Sequence, residues 1–297
     1  MNDFKTKIAT NKDFKRISEF IFEISKFQEK QCIHSSIGET VKSLVNEFEE
    51  LANKDELFCV FSENPIGEVC GFLACEFDRE SKRGWLKGPL AENNNEEIYQ
   101  ELLDILVMEL PIKIDKFSAF PNLKNQDLTR FYLSNDFEKD DISFIYEFHK
   151  CQIGKKGEID KLFREDLPTE NESDFKLLHE EAFPNTYYTV KEILALVDEN
   201  HKILTLVKDE ILLGYIYLSN DVESRIVDFE FITIRSNIRG KGFGRKLISS
   251  AISYSFNKLK TSKVTLTVTS KNNKAKKLYE EIGFQLLYSG ISLHRKN

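Results

Sequence analysis

Apolar residues recur along this chain with two periods, the two-residue period of strands and the three-to-four-residue period of amphipathic helices. The helical period is clearest over 242–259, where the apolar positions are Leu247, Ile248, Ala251, Ile252, Phe256 and Leu259. Across the second half, the pattern predicts strands at 163–167, 203–208, 211–219, 226–234, 263–269 and 285–293, and helices at 172–183, 190–199, 242–259 and 273–282. This order of elements predicts an α/β fold, of the α+β kind with a mixed sheet.

The two halves of the chain repeat one arrangement of residues. The second half carries Asn272, Ala275, Leu278, Tyr279, Gly283 and Phe284, and the same spacing occurs 147 residues earlier as Asn125, Leu128, Phe131, Tyr132, Asp136 and Phe137. Two apolar strands joined by a polar turn also occur in both halves, with Gly71 matching Gly214. We therefore predict two tandem copies of one domain, at 1–150 and 159–297, joined by the polar segment between them.

The second half alone contains a glycine-rich turn between a predicted strand and a predicted helix. The strand 226–234 leads into Arg239, Gly240, Lys241, Gly242, Phe243, Gly244 and Arg245. Glycines let the backbone bend tightly and approach a ligand closely, and the free N–H groups of a helix start attract an anion. The Walker pattern is absent, and the dinucleotide pattern is incomplete because Leu247 stands where its third glycine would be. The turn thus predicts an anion site without naming the anion.

Charge is divided unequally along the chain. From Arg235 to Asn297 there are 14 Lys and Arg against 2 acidic residues, net +12, whereas the rest carries 28 against 47, net −19. A basic end on an acidic body favours an anionic partner, either nucleic acid or a polyphosphate ligand. No groove-reading motif and no interleaved aromatic residues accompany the basic end, so we expect no nucleic-acid partner.

Composition excludes several other classes of protein. Hydrophobic residues make up 41% and charged residues 31%, which describes a folded chain and not a disordered one. No apolar run reaches the length of a membrane span, and the N-terminal residues lack the apolar core of a secretion signal. The five cysteines form no CxxC pair and the five histidines are scattered, so metal-ligand spacing is absent. We expect a cytoplasmic protein with no membrane partner and no metal.

Two motifs of the second half together resemble those of the GNAT superfamily of acetyl-CoA-dependent N-acetyltransferases. Arg239-x-x-Gly242-x-Gly244 is similar to the family's Q/R-x-x-G-x-G/A motif, and the segment from Asn272 to Phe284 is similar to its second motif, one strand downstream. The resemblance covers about 159–297 and, more faintly, the first half. It implies a V-shaped central sheet in which the coenzyme A part of acetyl-CoA lies where two parallel strands splay apart.

The resemblance also implies which residues bind acetyl-CoA. The backbone of the glycine-rich turn would hold the pyrophosphate, the end of the strand 226–234 would pair with the pantetheine amides, and the asparagine of the second motif would contact the cofactor. In this sequence these residues are Arg239, Gly240, Lys241, Gly242, Phe243, Gly244 and Arg245, then Ile232, Thr233 and Ile234, and finally Asn272.

Two further residues would carry the chemistry. Tyr279 would protonate the departing thiolate, which a phenol with an ordinary pKa near 10 can do. The amine must lose a proton, and the family indicates Glu230 as the base, acting directly or through water, with Asp228 as the alternative. Strand alternation predicts that Glu230 shares a face with Ile232 and Ile234.

The first half departs from the family at the same positions. Where the glycine-rich turn should lie, the chain reads Ala-Glu-Asn-Asn-Asn-Glu-Glu over 91–97, without arginine or Gly-x-Gly. Its acidic side chains would repel a pyrophosphate at a helix N-terminus. Tyr132 is retained, but Asp136 replaces the glycine. We predict that the first copy keeps the fold, has lost acetyl-CoA binding and is not catalytic.

The function predicted from these observations is acetyl transfer from acetyl-CoA to a primary amine of a small molecule or peptide, by direct attack in a ternary complex. The acceptor site would lie around 179–188, where Glu180 and Glu181 could hold a cation and Tyr187 and Tyr188 could stack on it. The same residues would equally serve as a solvated helix face and packing aromatics. The alternative function is a CoA-binding sensor or docking protein without transferase activity. The oligomeric state is left open.

Overall fold

The computed structural model describes residues 4–32, 40–152, 159–184, 186 and 188–296 and divides into two structural units. Unit 1 comprises Met1–Ser143 and Tyr288–Asn297, and unit 2 comprises Phe144–Leu287. These units differ from the predicted halves 1–150 and 159–297 at two strands. The end of the last strand belongs to unit 1 because its residues 293–296 pair with 116–119, and residues 144–149 belong to unit 2.

The repeated order of elements seen in the sequence is present in the structure. In chain order the elements are β1 (Lys5–Ile8), α1 (Phe14–Ile24), α2 (Val41–Asn53), β2 (Leu57–Glu63), β3 (Val69–Asp78), β4 (Arg83–Ala91), α3 (Glu96–Glu109), β5 (Lys116–Ala119), α4 (Gln126–Ser134), β6 (Glu138–His149), β7 (Phe163–Arg164), α5 (Glu172–Ala182), α6 (Val190–Leu196), β8 (His201–Lys208), β9 (Ile211–Asp221), β10 (Ile226–Ile234), α7 (Phe243–Tyr254), β11 (Lys263–Thr269), α8 (Asn273–Ile282) and β12 (Gln285–Lys296).

Unit 1 is a mixed sheet with helices on both faces. Its strands run in the order β1-β2-β3-β4-β5-β12, and β4 and β5 are parallel while the other pairs with a defined register are antiparallel. One core lies between the sheet and α3, with Leu102 and Leu106 fully buried. A second core lies on the other face beneath α1 and α2, around Ile17 and Phe48.

Unit 2 repeats this layering. Its strands run in the order β7-β8-β9-β10-β11, followed by residues 144–149 of β6. The core on one face contains Leu247 and Ala251 of α7, and the core on the other contains Phe175 of α5 and Ile193 of α6. The predicted mixed α/β architecture is confirmed.

Predicted and observed bounds of the elements in unit 2 agree at some elements and differ at others. The bounds of β10, β11 and α8 are those predicted, whereas the predicted helix 190–199 ends at Leu196 and the predicted strand 163–167 ends at Arg164. The predicted helix 242–259 is α-helical to Tyr254 and continues as a π-helical turn over Ser255–Leu259.

Candidate active site

The two parallel strands at the centre of unit 2 separate halfway along their length. Pairing of β10 with β11 ends at Phe229 and Leu266, yet β10 continues to Ile234 and β11 to Thr269. On its other edge β10 stays paired with β9 up to Ile234. The strand ends therefore leave an opening, with one edge of β10 unpaired on the β11 side.

Backbone groups of β10 point into this opening. A Cβ added at Gly214 of β9 would stand 2.5 Å from the Thr233 carbonyl oxygen, so that carbonyl faces β9. Carbonyls alternate along a strand, which turns the polar backbone groups of Ile232 toward the opening. The Ile234 carbonyl accepts a hydrogen bond from Arg239 Nε at 2.9 Å. A ligand with amide groups could thus pair with Ile232 as a further strand would.

A β-bulge reverses the faces of β10 at Glu230. Phe229 packs into the core beneath α7, whereas Phe231 packs into the core beneath α5, although regular alternation would place both on one face. The register against β9 shifts between these residues, so Glu230 is the inserted residue. Ile232 and Ile234 pack on the α7 side. The prediction that Glu230 shares their face is wrong, because the bulge leaves Glu230 with Phe231.

Two tyrosines lie near Glu230 on the α5 face. Burial, and after it the charge of Glu230, raises the pKa of both Tyr188 and Tyr217. Their rings stand edge to face with centroids 6.3 Å apart. Tyr217 was not predicted from the sequence, where its only signal is the alternation of Tyr215 and Tyr217 in a predicted strand.

Among the acceptor candidates that the structure describes, Tyr188 is the one whose pKa is raised by burial and by the charge of Glu230. Glu180 and Glu181 are exposed on α5, and Tyr187 lies outside the described residues. Asp228, the alternative base, lies in the closed part of the strand pair and accepts a hydrogen bond from Thr265 Oγ1 at 2.6 Å. Burial raises the pKa of Asp228. Its position is thus less suited to meeting an amine than that of Glu230.

The glycine-rich turn leads from the end of β10 into α7. Gly240 and Gly242 have φ values of +79° and +85°, which side chains rarely adopt, and a Cβ added to either would meet no atom within 4 Å. At Gly244, an added Cβ would stand 3.2 Å from Leu278 Cδ2, so this glycine allows α7 and α8 to approach. In the described part of the chain, the N–H groups of residues 242–245 have no protein acceptor, and the first helical bond runs from Lys246 N–H to the Gly242 carbonyl. The turn offers an anion free N–H groups and open space.

The basic side chains of the turn have different surroundings. The Arg239 guanidinium folds back on β10, where it also approaches Thr233 Oγ1 at 3.5 Å. Arg245 pairs with Glu281 at 2.5 Å across the surface of the two helices. Lys241 is exposed, and no ion pair to it is found among the residues that the structure describes. Arg239 therefore shapes the turn, while Lys241 and the backbone are available to a phosphate.

Tyr279 lies on α8, which follows β11, and Asn272 is the residue just before that helix. The Tyr279 ring is buried, with its centroid 5.9 Å from that of Phe284 and 6.4 Å from that of Tyr146. Its hydroxyl makes no hydrogen bond to any described residue, and burial raises its pKa, so the phenol keeps its proton. Asn272 caps α8 by accepting a hydrogen bond from Ala275 N–H at 3.2 Å, which leaves its Nδ2 group as a donor.

The corresponding strand position of unit 1 carries the opposite charge. Pairing of β4 with β5 ends at Leu86, and the next residue is Lys87, just as Glu230 follows the last paired residue of β10. Lys87 is 3% exposed and pairs with Glu47 at 2.5 Å and with Glu76 at 3.1 Å. Burial alone would lower the pKa of Lys87, but the two carboxylates raise it above its usual value. Unit 1 thus has a buried, ion-paired lysine, Lys87, at the strand position where unit 2 has the candidate base Glu230.

The strand opening of unit 1 is lined by the chain itself. Cys32 forms an isolated bridge with Pro121, beyond the end of β5, and its Sγ lies 3.9 Å from the Leu86 carbonyl oxygen. The adjacent Gln31 carbonyl accepts hydrogen bonds from Asn122 N–H at 3.0 Å and from Asn125 Nδ2 at 3.3 Å. Asn125 occupies the position in the repeat that Asn272 has in unit 2. Its Nδ2 group donates to the Gln31 carbonyl and is therefore not available to a ligand in the way that Asn272 Nδ2 is.

Two negative observations concern the described residues only. They contain no group of three or more His, Cys, Asp or Glu side chains placed to hold a metal ion. None of their helices combines the length and the apolar character needed to cross a membrane.

Comparison with known proteins agrees with this geometry. Residues 159–284 match the Acetyltransferase (GNAT) family. Spermidine N(1)-acetyltransferase of Vibrio cholerae is 35% identical over 105 residues, which cover 35% of this chain and 56% of that protein. The match thus spans only about half of the curated relative.

Solved structures extend the likeness of fold to the whole chain. A GCN5-related N-acetyltransferase from Sphaerobacter thermophilus has a TM-score of 0.76 at 12% identity, covering 100% of this chain and 96% of that one. A tandem GNAT protein from the clavulanic acid biosynthesis pathway has a TM-score of 0.62 at 9% identity, covering 99% and 98%. The predicted fold of two tandem GNAT-like domains is confirmed.

Proposed function

We propose, from the premise that residues 159–284 form a GNAT acetyltransferase domain, that this protein is an N-acetyltransferase acting on a primary amine. The observation that carries the proposal is the presence of three features around one core of unit 2, which contains Tyr279 and against which Ile232 and Phe243 pack. These are the unpaired edge of β10, the unpartnered N–H groups behind Gly242, and the buried Tyr279 with no partner for its hydroxyl among the described residues.

The residues of the opening fit acetyl-CoA as the acetyl donor. The N–H groups of residues 242–245 and the side chain of Lys241 suit a pyrophosphate, and the open edge at Ile232 suits the amides of a pantetheine arm. Asn272 Nδ2 is a further donor, at the start of α8. The basic C-terminal end of the chain agrees with an anionic ligand of this size.

Proton transfers follow from the positions of Glu230 and Tyr279. The acceptor arrives as an ammonium ion and gives one proton to the Glu230 carboxylate, and its nitrogen then bonds to the acetyl carbonyl carbon. As the carbon–sulfur bond breaks, the Tyr279 hydroxyl gives its proton to the leaving sulfur. The second nitrogen proton restores the phenol through water, and Glu230 releases its proton to solvent. The overall reaction therefore yields one amide, one thiol and one free proton.

A small cationic amine is the acceptor class that the site favours. On the α5 face, burial and after it the charge of Glu230 raise the pKa of Tyr188, whose ring is partly exposed. A carboxylate and an aromatic ring on the same face suit an alkylammonium ion. The relative from Vibrio cholerae is named for spermidine, a compound of this class. Unit 1 takes no part in the chemistry, because Lys87 replaces the base.

A panel of amines tests this proposal. Spermidine, other polyamines, aminoglycosides, amino acids and peptide N-termini are each incubated with the protein and acetyl-CoA. Free thiol is measured over time, and mass spectrometry locates the acetyl group. We expect thiol release with a cationic alkylamine and an added mass of one acetyl group on its primary nitrogen. Acetyl-CoA binding without acetylation of any amine would instead indicate a CoA-binding sensor.

A further inference from the structure

A buried histidine connects the sheet of unit 2 to the segment that carries Tyr188. His179 lies on α5 and is 2% exposed. Its Nδ1 lies 2.5 Å from the hydroxyl oxygen of Tyr215 on β9, and its Nε2 lies 3.1 Å from the backbone carbonyl oxygen of Tyr188. Both ring nitrogens are therefore engaged, one with the sheet and one with the segment after α5.

The chemistry of the partners fixes the direction of both hydrogen bonds. A carbonyl oxygen only accepts, so Nε2 must carry the hydrogen that it donates to Tyr188. In a neutral imidazole Nδ1 is then an acceptor, and the Tyr215 hydroxyl donates to it. Burial lowers the pKa of His179 and raises that of Tyr215, so both groups keep these states at neutral pH. The relay runs from Tyr215 through His179 to the Tyr188 backbone.

This relay ends at Tyr188, whose ring and that of Tyr217 form an aromatic pair near Glu230. With its carbonyl held, Tyr188 presents its ring edge to face with Tyr217. The His179 ring itself packs 5.1 Å from Phe231, the residue next to Glu230 in the bulge. Because the imidazole of His179 is neutral, it places no positive charge close to Tyr188. A charged imidazole there would repel a cationic amine.

We propose that His179 is a positioning residue for the acceptor, holding Tyr188 so that its ring and the Glu230 carboxylate receive the same alkylammonium group. This inference rests on the proposed function and extends it, because it assigns the selection of a cationic amine to a residue that does not touch the amine. It predicts that His179 affects amine binding and leaves acetyl-CoA binding, on the other side of the sheet opening, unchanged.

Three variants test the relay. His179→Leu removes both hydrogen bonds, Tyr215→Phe removes only the donor to Nδ1, and His179→Gln keeps an N–H donor within reach of the Tyr188 carbonyl. His149→Gln, at a partly exposed histidine that ends β6, is the matched control. Calorimetric titration with spermidine in the presence of CoA gives the dissociation constant for the amine, and titration with acetyl-CoA gives that for the donor. Thermal unfolding shows that each variant is folded.

The expected result is a selective loss of amine affinity. Spermidine should bind about tenfold more weakly to His179→Leu, by loss of one aligned cation–π contact, and His179→Gln should recover most of that loss. Acetyl-CoA affinity should change less than twofold in all variants. Nitrogen NMR of the wild type should show the Nε2–H tautomer of His179.

Two results would overturn the inference: equal losses of amine and acetyl-CoA affinity, or an Nδ1–H tautomer with no rescue by glutamine. Failure of the proposed function gives a different pattern. Spermidine would then still bind in a His179-dependent way, but neither spermidine nor another amine would be acetylated.

Discussion

The hydroxyl of Tyr132 donates a hydrogen bond to the carbonyl oxygen of Gly88, on the unpaired part of β4. Tyr279 occupies the same place in the repeat, but its hydroxyl has no partner among the described residues. The two copies thus differ at the same tyrosine. In unit 1 the phenol is bonded to the strand β4, and in unit 2 it is bonded to no described residue.

Replacing Tyr279 by phenylalanine should slow the reaction without weakening the binding of acetyl-CoA. The substitution removes only a hydroxyl that makes no bond within the described chain, so folding and acetyl-CoA affinity should be retained. Loss of general acid catalysis typically costs about 10²-fold or more, which is the expected drop in kcat. Tyr132→Phe is the matched control: it should leave kcat unchanged and lower the free energy of unfolding by about 1–3 kcal/mol, because the buried Gly88 carbonyl loses its donor. Normal turnover by Tyr279→Phe would show that water or another residue is the acid.

Replacing Gly242 by valine should abolish acetyl-CoA binding. The added side chain enters the open space in front of the free N–H groups and also strains a backbone at φ +85°. Calorimetry on the wild type should give one acetyl-CoA site per chain, and none should remain in the variant.

Gly67→Val separates the effect on the ligand from the effect of strain. Gly67 lies in a turn of unit 1, also with φ +85° and no atom within 4 Å of an added Cβ. Both variants should lose a similar stability, roughly 1–2 kcal/mol, but only Gly242→Val should lose binding. Two sites per chain in the wild type, or unaltered affinity in Gly242→Val, would contradict the assignment of the donor site to unit 2 alone.

The parts of the fold that were predictable from the sequence are those whose residues repeat with one period. β11 and α8 have the predicted bounds because every apolar position of each faces the same core. The glycine-rich turn was predictable because positive φ angles require glycine at Gly240 and Gly242.

The bulge at Glu230 could not be read from the sequence, since one inserted residue leaves the composition of a strand unchanged while reversing its faces. The chain segment at Gln31 that lines the opening of unit 1 was missed for a different reason. Its partners Asn122 and Asn125 lie about 90 residues away, and no local pattern records such contacts. The role of His179 could not be predicted from the sequence either, because it depends on a hydrogen bond to Tyr215, which lies on β9 while His179 lies on α5.

Replacing Lys87 by methionine should destabilise the protein and spare its chemistry. Glu47 and Glu76 would then lose the cation that they share. Because the lysine is buried and the two glutamates are partly exposed, the free energy of unfolding should fall by roughly 2–4 kcal/mol. Because the pKa of Lys87 is raised in the folded state, the contribution of the lysine to stability is present at neutral pH and is lost as the pH rises through that raised value. Urea unfolding of the wild type and the variant should show a constant difference across neutral pH, and a smaller one as the pH rises through the raised pKa of Lys87. A fall in acetyl-CoA affinity would contradict the view that unit 1 is not part of the donor site.

Replacing Glu230 by glutamine should remove the base and keep the shape of the bulge. A base must be ionised to accept a proton, so wild-type kcat/KM should rise with pH through the pKa of that carboxyl group. In Glu230→Gln the turnover should fall by about 10²-fold or more, and this acidic limb of the pH–rate profile should disappear. Asp228→Asn is the control, because Asp228 bonds to Thr265 in the closed part of the strand pair. It should keep both the limb and most of the rate. A limb that survives in Glu230→Gln and vanishes in Asp228→Asn would transfer the role to Asp228, and a limb that survives in both would mean that the acceptor amine reaches the site already neutral.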